Sequence, residues 1–394
     1  MKSPGGSNED WVRRFEEAQV PLLARLVETP SCSREPADVE AAASILDEVA
    51  GTLGLQVERI ADPEGRFADH RVYSTAAARN GKPALALVGH VDTVFPRAFG
   101  FSGFEREGDV ARGPGVLDMK SGLTSIFTAL SVQEDLDAMP LRVVVVSDEE
   151  VGSPSSATLY AELAPSTSAA LVFEHGRAED AIITARKGTA SFVIRVEGRA
   201  AHAGLAHAEG VNAIAALASL IERVEGLTDY ERGITYNVGL VEGGTSVNTV
   251  PEHASCQVDA RYAVPGDELA LEGDLREAVE RPLPGRLAEA RVTLAGRVNR
   301  PCMAPTVESH ALMAAYAIHA ASVGLGAGEA PLQGGGSDAN LLAQHGVPCI
   351  DGLGPAGTGA HRRAERCSLE SLRLRTMALS RFLAASRGSF PGPA

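Results

Sequence analysis

The chain has 394 residues, a formal net charge of -15 and only 5% aromatic residues. That length exceeds the size at which a single core keeps growing, so two domains are expected. The acidic balance excludes a nucleic-acid or anionic-membrane partner, because such binding draws on clustered Lys and Arg.

The opening MKSPGGSNEDWVRRFEEAQVPLLARLVETPS reads as a short disordered lead followed by an amphipathic helix. It lacks the uninterrupted apolar region and cleavage site of a secretory signal, and no apolar stretch of the chain is long enough to span a bilayer. Residues 84–90 (ALALVGH), 141–147 (LRVVVVS) and 169–173 (AALVF) are apolar runs of strand length, as expected for strands covered on both faces. Helices are predicted between them at 119–131 and 155–163. This alternation is that of an α/β doubly wound, mostly parallel sheet, whose ligands gather beyond the carboxyl ends of the strands.

From about Lys187 the texture changes. SFVIRVEG alternates with period two, a helix is predicted over 212–224, YNVGLVEGG and SCQVDARYAV alternate again, and a helix at 267–281 and the strand RVTLAG follow. The β-α-β-β-α-β order predicts a ferredoxin-like α+β domain with one sheet face covered and one free, and a dimer surface on its free edge or helix face. A helix at 307–323, GGGSDANLLAQHGVPCI and residues 368–385 return to the first style. The expected division is a discontinuous catalytic domain, 1–185 and 300–394, with a dimerisation and lid domain, 186–299, inserted into it.

Acidic and imidazole side chains stand where the apolar runs end. In GHVDTVFP, His90 and Asp92 are two residues apart on an extended segment, so Asp92 can hold the imidazole's second N–H; a structural hydrogen-bonded pair fits equally. In ARGPGVLDMKSG, a tight loop presents Asp118 just before a helix. Its two oxygens could span two cations, although taken alone an N-cap explains an Asp there better. VVVVSDEEVGS places a charged cluster directly after four valines, a costly burial unless cations or hydrogen bonds compensate it. There Glu150 can bind a metal and Glu149 can act as general base and then acid; a solvated turn is the other reading. Glu174 follows AALVF, with His175 directed to the opposite face. His361 lies in the Gly-rich loop GPAGTGAHRRAE, where a lone imidazole is more often solvent-exposed. Together these groups form an inventory for two divalent metals and metal-assisted hydrolysis. Cys32, Cys256, Cys302, Cys349 and Cys367 show no metal-ligand or redox spacing, which points to reduced thiols in a cytoplasmic protein.

In this order the segments GHVDTVFP, GPGVLDMKSG, SDEEVGS, VFEHG, GRAAHAG with EGVNA, GGTSVNTVPEHASCQVDAR, GGGSDA and AHRRAE resemble the zinc-dependent aminoacylase and carboxypeptidase superfamily, closest to its glutamate carboxypeptidase branch. The resemblance runs from about residue 20 to 385. It implies two zinc ions, with cobalt or manganese as possible substitutes. His90 and Glu174 would bind different ions bridged by Asp118, with Glu150 and His361 completing the shells, Asp92 supporting His90, and Glu149 as general base. It further implies that His202 of the inserted domain stabilises the oxyanion in the partner's site of a homodimer. Arg261 and Asn248 would grip the substrate carboxylate, and Gly335 and Gly336 would let substrate approach the backbone. For Arg261 a structural salt bridge is the competing reading.

Two departures from the pattern stand out: Arg362 and Arg363 where relatives often carry Ser, and Ser121 where a second Gly is usual. The expected function is hydrolysis of the amide bond of an N-acyl or N-aminoacyl amino acid with a free carboxylate. An N-acyl amino acid deacylase and a catalytically silent ligand-binding relative are the alternatives.

Overall fold

Three adjacent parallel strands, none with an exposed residue, frame the larger part of the molecule: Leu141–Val146, Ala84–His90 and Thr167–Val172. The computed structural model describes residues 6–386, so most of the expected disordered lead lies outside the described residues. Uninterrupted aliphatic sequence is what lets such strands bury both faces. Alternate residues, Leu85, Leu87, Val143, Val145, Ala169 and Leu171, join a core with the helices Pro36–Thr52, Lys120–Leu130, Val307–Ala321 and Leu369–Ser386. The intervening Ala86, Val88, Val144, Val146, Ala170 and Val172 are buried as well.

The six-stranded sheet runs Gln56–Ile60, His70–Ser74, Leu141–Val146, Ala84–His90, Thr167–Val172, Cys349–Ile350. His70–Ser74 pairs antiparallel with both of its neighbours, and the remaining pairings are parallel. This mixed, parallel-rich α/β sheet has its antiparallel edge in residues of mixed polarity (QVERI, HRVYS), which carry no strong strand signal. A small antiparallel sheet of Gly357–Thr358, Arg366–Ser368, Val110–Arg112 and Glu105–Glu107 lies in the same part of the chain.

The chain divides into two compact units, one reaching Ala185 and resuming over Pro305–Pro331 and from Ser337, the other comprising Arg186–Ala304 and Leu332–Gly336. In the second unit the strands lie in the order Arg291–Arg300, Gly188–Glu197, His253–Tyr262, Thr235–Gly243, all antiparallel, with helices Ala213–Glu225 and Asp267–Glu280. Period-two patterning becomes period-two burial, as Phe192, Ile194 and Val196 pack inward while Ser191, Arg195 and Glu197 are exposed. The Leu332–Gly336 segment belongs to this unit because backbone groups tie it there. Lys187 N–H donates to Gln333 O (2.8 Å) and the Arg186 guanidinium to Gly335 O (3.0 Å). All five cysteines are buried and unpaired. Among the described residues, no helix is long and apolar enough to cross a membrane.

Helix Lys120–Leu130 crosses close to the Glu174 strand at Gly122, where a Cβ would stand 2.3 Å from the Phe173 carbonyl oxygen. Gly122→Ala should therefore destabilise the fold by about 1–3 kcal/mol through overpacking. That cost outweighs the roughly 1 kcal/mol that Ala gains over Gly in a helix. The midpoint of urea unfolding measures the balance, and an upward shift would rule out the close approach as the reason for glycine.

Candidate metal centre

Parallel strands deliver their carboxyl ends to one edge of the sheet. His90 is the last residue of its strand, Glu149 and Glu150 form a single 3-10 turn just beyond Val146, and Glu174 follows shortly after Val172. Because Ala84–His90 lies between the other two strands, these side chains converge. Asp118 arrives from the loop after Val110–Arg112. Gly115 has a positive φ of 74° there, and a Cβ on it would meet the Thr93 side chain at 2.7 Å. A cis peptide joins Asp118 to Met119. Asp118 does not cap the next helix, which begins at Lys120 with Met119 in the cap position and no side-chain cap bond.

The two oxygens of Asp118 face different imidazoles. Oδ1 lies 3.2 Å from His90 Nε2, itself 3.7 Å from Glu174 Oε1. Oδ2 lies 3.2 Å from His361 Nε2, itself 3.0 Å from Glu150 Oε2. Two triads thus share one carboxylate: His90, Asp118 and Glu174, and Asp118, Glu150 and His361. Donors about 2.0–2.2 Å from a tetrahedral ion stand roughly 3.3 Å apart, and the observed separations bracket that value. The donor set, imidazole and carboxylate without thiolate, suits borderline divalent ions such as zinc, cobalt or manganese.

Electrostatics point the same way. Burial presses against charge on the His90 imidazole, yet hydrogen bonds with Asp118 and Asp92 and the charge of Glu174 raise its pKa well above the usual range. His361 is drawn up to about 11 by its hydrogen bonds to Asp118 and Glu150. Burial, then the Asp118 charge, pushes Glu174 well above an ordinary carboxyl, and burial raises Glu150. Asp118, Glu150 and Glu174 outnumber the two imidazoles, a surplus of negative charge that cations would balance.

The supporting groups differ in detail from the sequence reading. The His90 Nδ1 partner is the Asp92 backbone carbonyl at 3.0 Å, with the Asp92 carboxylate farther off at 3.4 Å. That carboxylate instead accepts from Ser33 Oγ (2.6 Å) and from the backbone N–H groups of Glu149 (3.3 Å) and Glu150 (3.2 Å), holding the acidic turn itself. The turn is not a solvated loop, since only 5% of the Glu150 side chain is exposed. Asp148, first of the three acids, accepts from the Ser155 and Ser156 N–H groups and the Ser156 hydroxyl at the start of helix Ser156–Leu163. Glu365 was given no role from sequence. Fully buried, it accepts the N–H groups of Gly115, Leu117 and Asp118. The nearest signal in the sequence is Cys367, two residues on and also buried.

The remaining expected residues, His202, Asn248, Arg261, Gly335 and Gly336, belong to the second unit. His202 Nδ1 accepts from the Gly204 and Leu205 N–H groups (3.1 and 3.2 Å). The His202 and Asn248 segments adjoin, since Ala203 N–H donates to Asn248 O at 3.0 Å. Arg261 pairs with Asp259 (2.9 Å) and donates to Gly334 O (3.4 Å), so it meets the glycine-rich segment. A Cβ on Gly336 would meet Arg300 at 2.9 Å, whereas one on Gly335 would point into open space. His175 is half-buried beside Arg177 Nη1 (2.6 Å) and belongs to neither triad.

A shared carboxylate between two His- and Glu-containing triads, with further acids beside it, is an arrangement suited to metal-dependent hydrolysis. The sequence profile of peptidase family M20/M25/M40 matches residues 86–385, and the chain belongs to this family, within the zinc aminoacylase and carboxypeptidase superfamily. It is 28% identical to carboxypeptidase G2 of Pseudomonas sp. strain RS-16 over 93% of this chain and 89% of that one. Its fold is shared with a tripeptidase from Staphylococcus aureus (TM-score 0.80, 21% identity, 94% and 98% coverage). It is also shared with a dinuclear metal-binding M20 peptidase from Bacillus subtilis (TM-score 0.69, 16% identity, 95% and 98% coverage). The chain is thus a metallopeptidase or amidohydrolase acting on peptide or acyl-amino acid bonds.

The pKa values of His361 and Glu174 are raised, so a cation held by these groups would compete with protons for them. Zinc added near neutral pH should release protons into weakly buffered solution. Affinity should fall as the pH is lowered from about 7.5 to about 5.5, since each proton added competes with the ion. A pH-independent affinity would mean that these groups are not the ligands.

Proposed function

We propose that the chain is a dinuclear zinc hydrolase that cleaves the amide bond of an N-acyl or N-aminoacyl amino acid bearing a free carboxylate, in the manner of a glutamate carboxypeptidase. The observation that carries this reading is Asp118, whose two oxygens address two separate ligand triads beside Glu149. His90, Asp118 and Glu174 would hold one ion, and Asp118, Glu150 and His361 the other. Bound zinc would supply Lewis-acid polarisation of the scissile carbonyl and acidify water.

Glu149 is the general base in this reading. The Asp92 carboxylate accepts its backbone N–H, which supports a position at the edge of the centre. It takes a proton from the attacking water and passes it to the leaving amine. His202 suits the oxyanion role because two backbone N–H groups engage Nδ1, which leaves the neutral ring's proton on Nε2 as an outward donor. Arg261 offers a planar fork to the substrate carboxylate, with Asn248 beside the His202 segment and Gly335 and Gly336 beside Arg261. Residues 186–299 form the surface of a homodimer in which His202 serves the partner's centre. Exposed Leu240 and Val241 on edge strand Thr235–Gly243, with Leu205 and Val247 on nearby loops, support that surface.

Glu149→Ala should retain both ions yet lose about 10²–10⁴ in kcat, checked by metal analysis and turnover on the same sample. Full turnover would remove Glu149 from its role. His202→Ala should lower kcat by about 10²–10³. Mixed with Glu149→Ala under subunit exchange, it should regain activity, because one hybrid site then has both groups; no recovery would place His202 in its own subunit's site or outside the reaction. Paired N-acyl and dipeptide substrates with varied carboxyl-terminal residues would separate the peptidase from a simple deacylase.

A further inference from the structure

The two ligand triads are built from different kinds of chain. His90 ends a buried strand and Glu174, also buried, follows the strand that ends at Val172, so in their half of the centre Asp118 is the ligand carried by a longer loop. In the other half Glu150 sits in the 3-10 turn Glu149–Val151 beyond the strand that ends at Val146. Asp118 and His361 both come from loops, and the His361 side chain is 55% exposed on a residue with φ of 62° in the left-handed region.

Those two loops meet at Glu365. One oxygen, Oε1, accepts the N–H groups of Leu117 (2.8 Å) and Asp118 (3.0 Å), and Oε2 accepts that of Gly115 (3.0 Å). The Glu365 N–H in turn donates to Arg362 O (3.0 Å) and the Arg362 N–H to Gly359 O (2.9 Å), folding the turn that carries His361. The next residue, Arg366, pairs with Arg112 at the strand end that leads into the Asp118 loop. One side chain thus fixes the height of the Asp118 backbone relative to the His361 turn.

We propose that Glu365 is a positioning residue that sets the Asp118, Glu150 and His361 half of the centre and so decides whether a second ion is held. This rests on the dinuclear reading above. Glu365 touches no ligand atom of either triad; it acts through the backbone of one ligand and the turn of another. Carboxylate is the group that fits, because both oxygens must accept. In Glu365→Gln, whichever way the carboxamide is turned, its NH₂ faces at least one of the three backbone N–H groups, donor against donor.

The test is zinc titration of the metal-free protein against a chelating dye, for wild type, Glu365→Gln and Glu365→Asp, the last retaining the charge but one methylene short. The expected result is two ions in the wild type. Glu365→Gln should hold the first with near wild-type affinity and the second about 10–100-fold more weakly, the range for residues that support metal ligands. Glu365→Asp should fall between. Thr75→Val removes buried hydroxyl bonds to Met139 O and Leu141 O at the opposite end of strand Leu141–Val146. It should lower thermal stability while leaving both affinities alone, so lost stability by itself is separated from lost positioning. If Glu365→Gln holds both ions as the wild type does, or weakens both equally, the proposal is overturned. Should Glu365→Gln fail to fold, the same outcomes in Glu365→Asp decide. A wild type that binds fewer than two ions would sink the dinuclear reading instead.

Discussion

The Asp118 carboxylate, held between two imidazoles amid a surplus of buried acid, is the interaction on which the rest of this centre depends. Burying carboxylates at the ends of apolar strands is costly unless each oxygen finds a partner. The chain engages some of its acids with its own backbone and turns others toward its imidazoles. Asp148 holds the start of a helix, Asp92 holds the acidic turn and Ser33, and Glu365 holds the Asp118 loop. Asp118, Glu150 and Glu174 are instead turned toward imidazoles and one another. Acids grouped with imidazoles in this way are the kind that a cation completes.

This sorting explains what could and could not be read from the sequence. The three central strands were legible because continuous aliphatic runs have few other uses, and their ends marked His90, Glu150 and Glu174. The antiparallel edge strands Gln56–Ile60 and His70–Ser74 were not, since QVERI and HRVYS owe their pairing to the neighbour rather than to their own pattern. Asp118 read from local sequence as a helix cap, and only tertiary structure shows the cap position passing to Met119. The partners of Asp92 and Glu365 lie far away in the chain, Ser33 for one and the Gly115 to Asp118 loop for the other. No local pattern records which oxygen is already engaged.

The second unit follows different logic. Its alternating strands were legible as a half-covered sheet, and its polar groups sit on loops and on the less buried positions. The resemblance implies an oxyanion role for His202, and hydrogen bonding to Nδ1 is compatible with that role, since it presents Nε2 in donor form. Preorganisation of that kind is what makes a donor effective at a developing negative charge. Arg261 is shared between the two readings weighed for it. It is paired with Asp259, as a structural bridge would be, and it also meets the glycine-rich segment, as a substrate clamp would. Both atoms can serve, because a guanidinium carries more donors than one carboxylate can engage.

The asymmetry between the halves of the metal centre then has a functional sense. A hydrolase needs ligands rigid enough to gather charge and an opening through which an amide can reach them. In the proposed centre the buried half, with His90 at a strand end and Glu174 just past one, suits the first need; the His361 half, half in solvent and carried on a left-handed turn, suits the second. Exposure would leave that half loose if its loops were free. The fold answers by anchoring both loops to one buried carboxylate just past His361, where no substrate has to pass. Openness at the ligand and rigidity just behind it are compatible because the exposed atoms and the constrained atoms belong to different residues of the same turn.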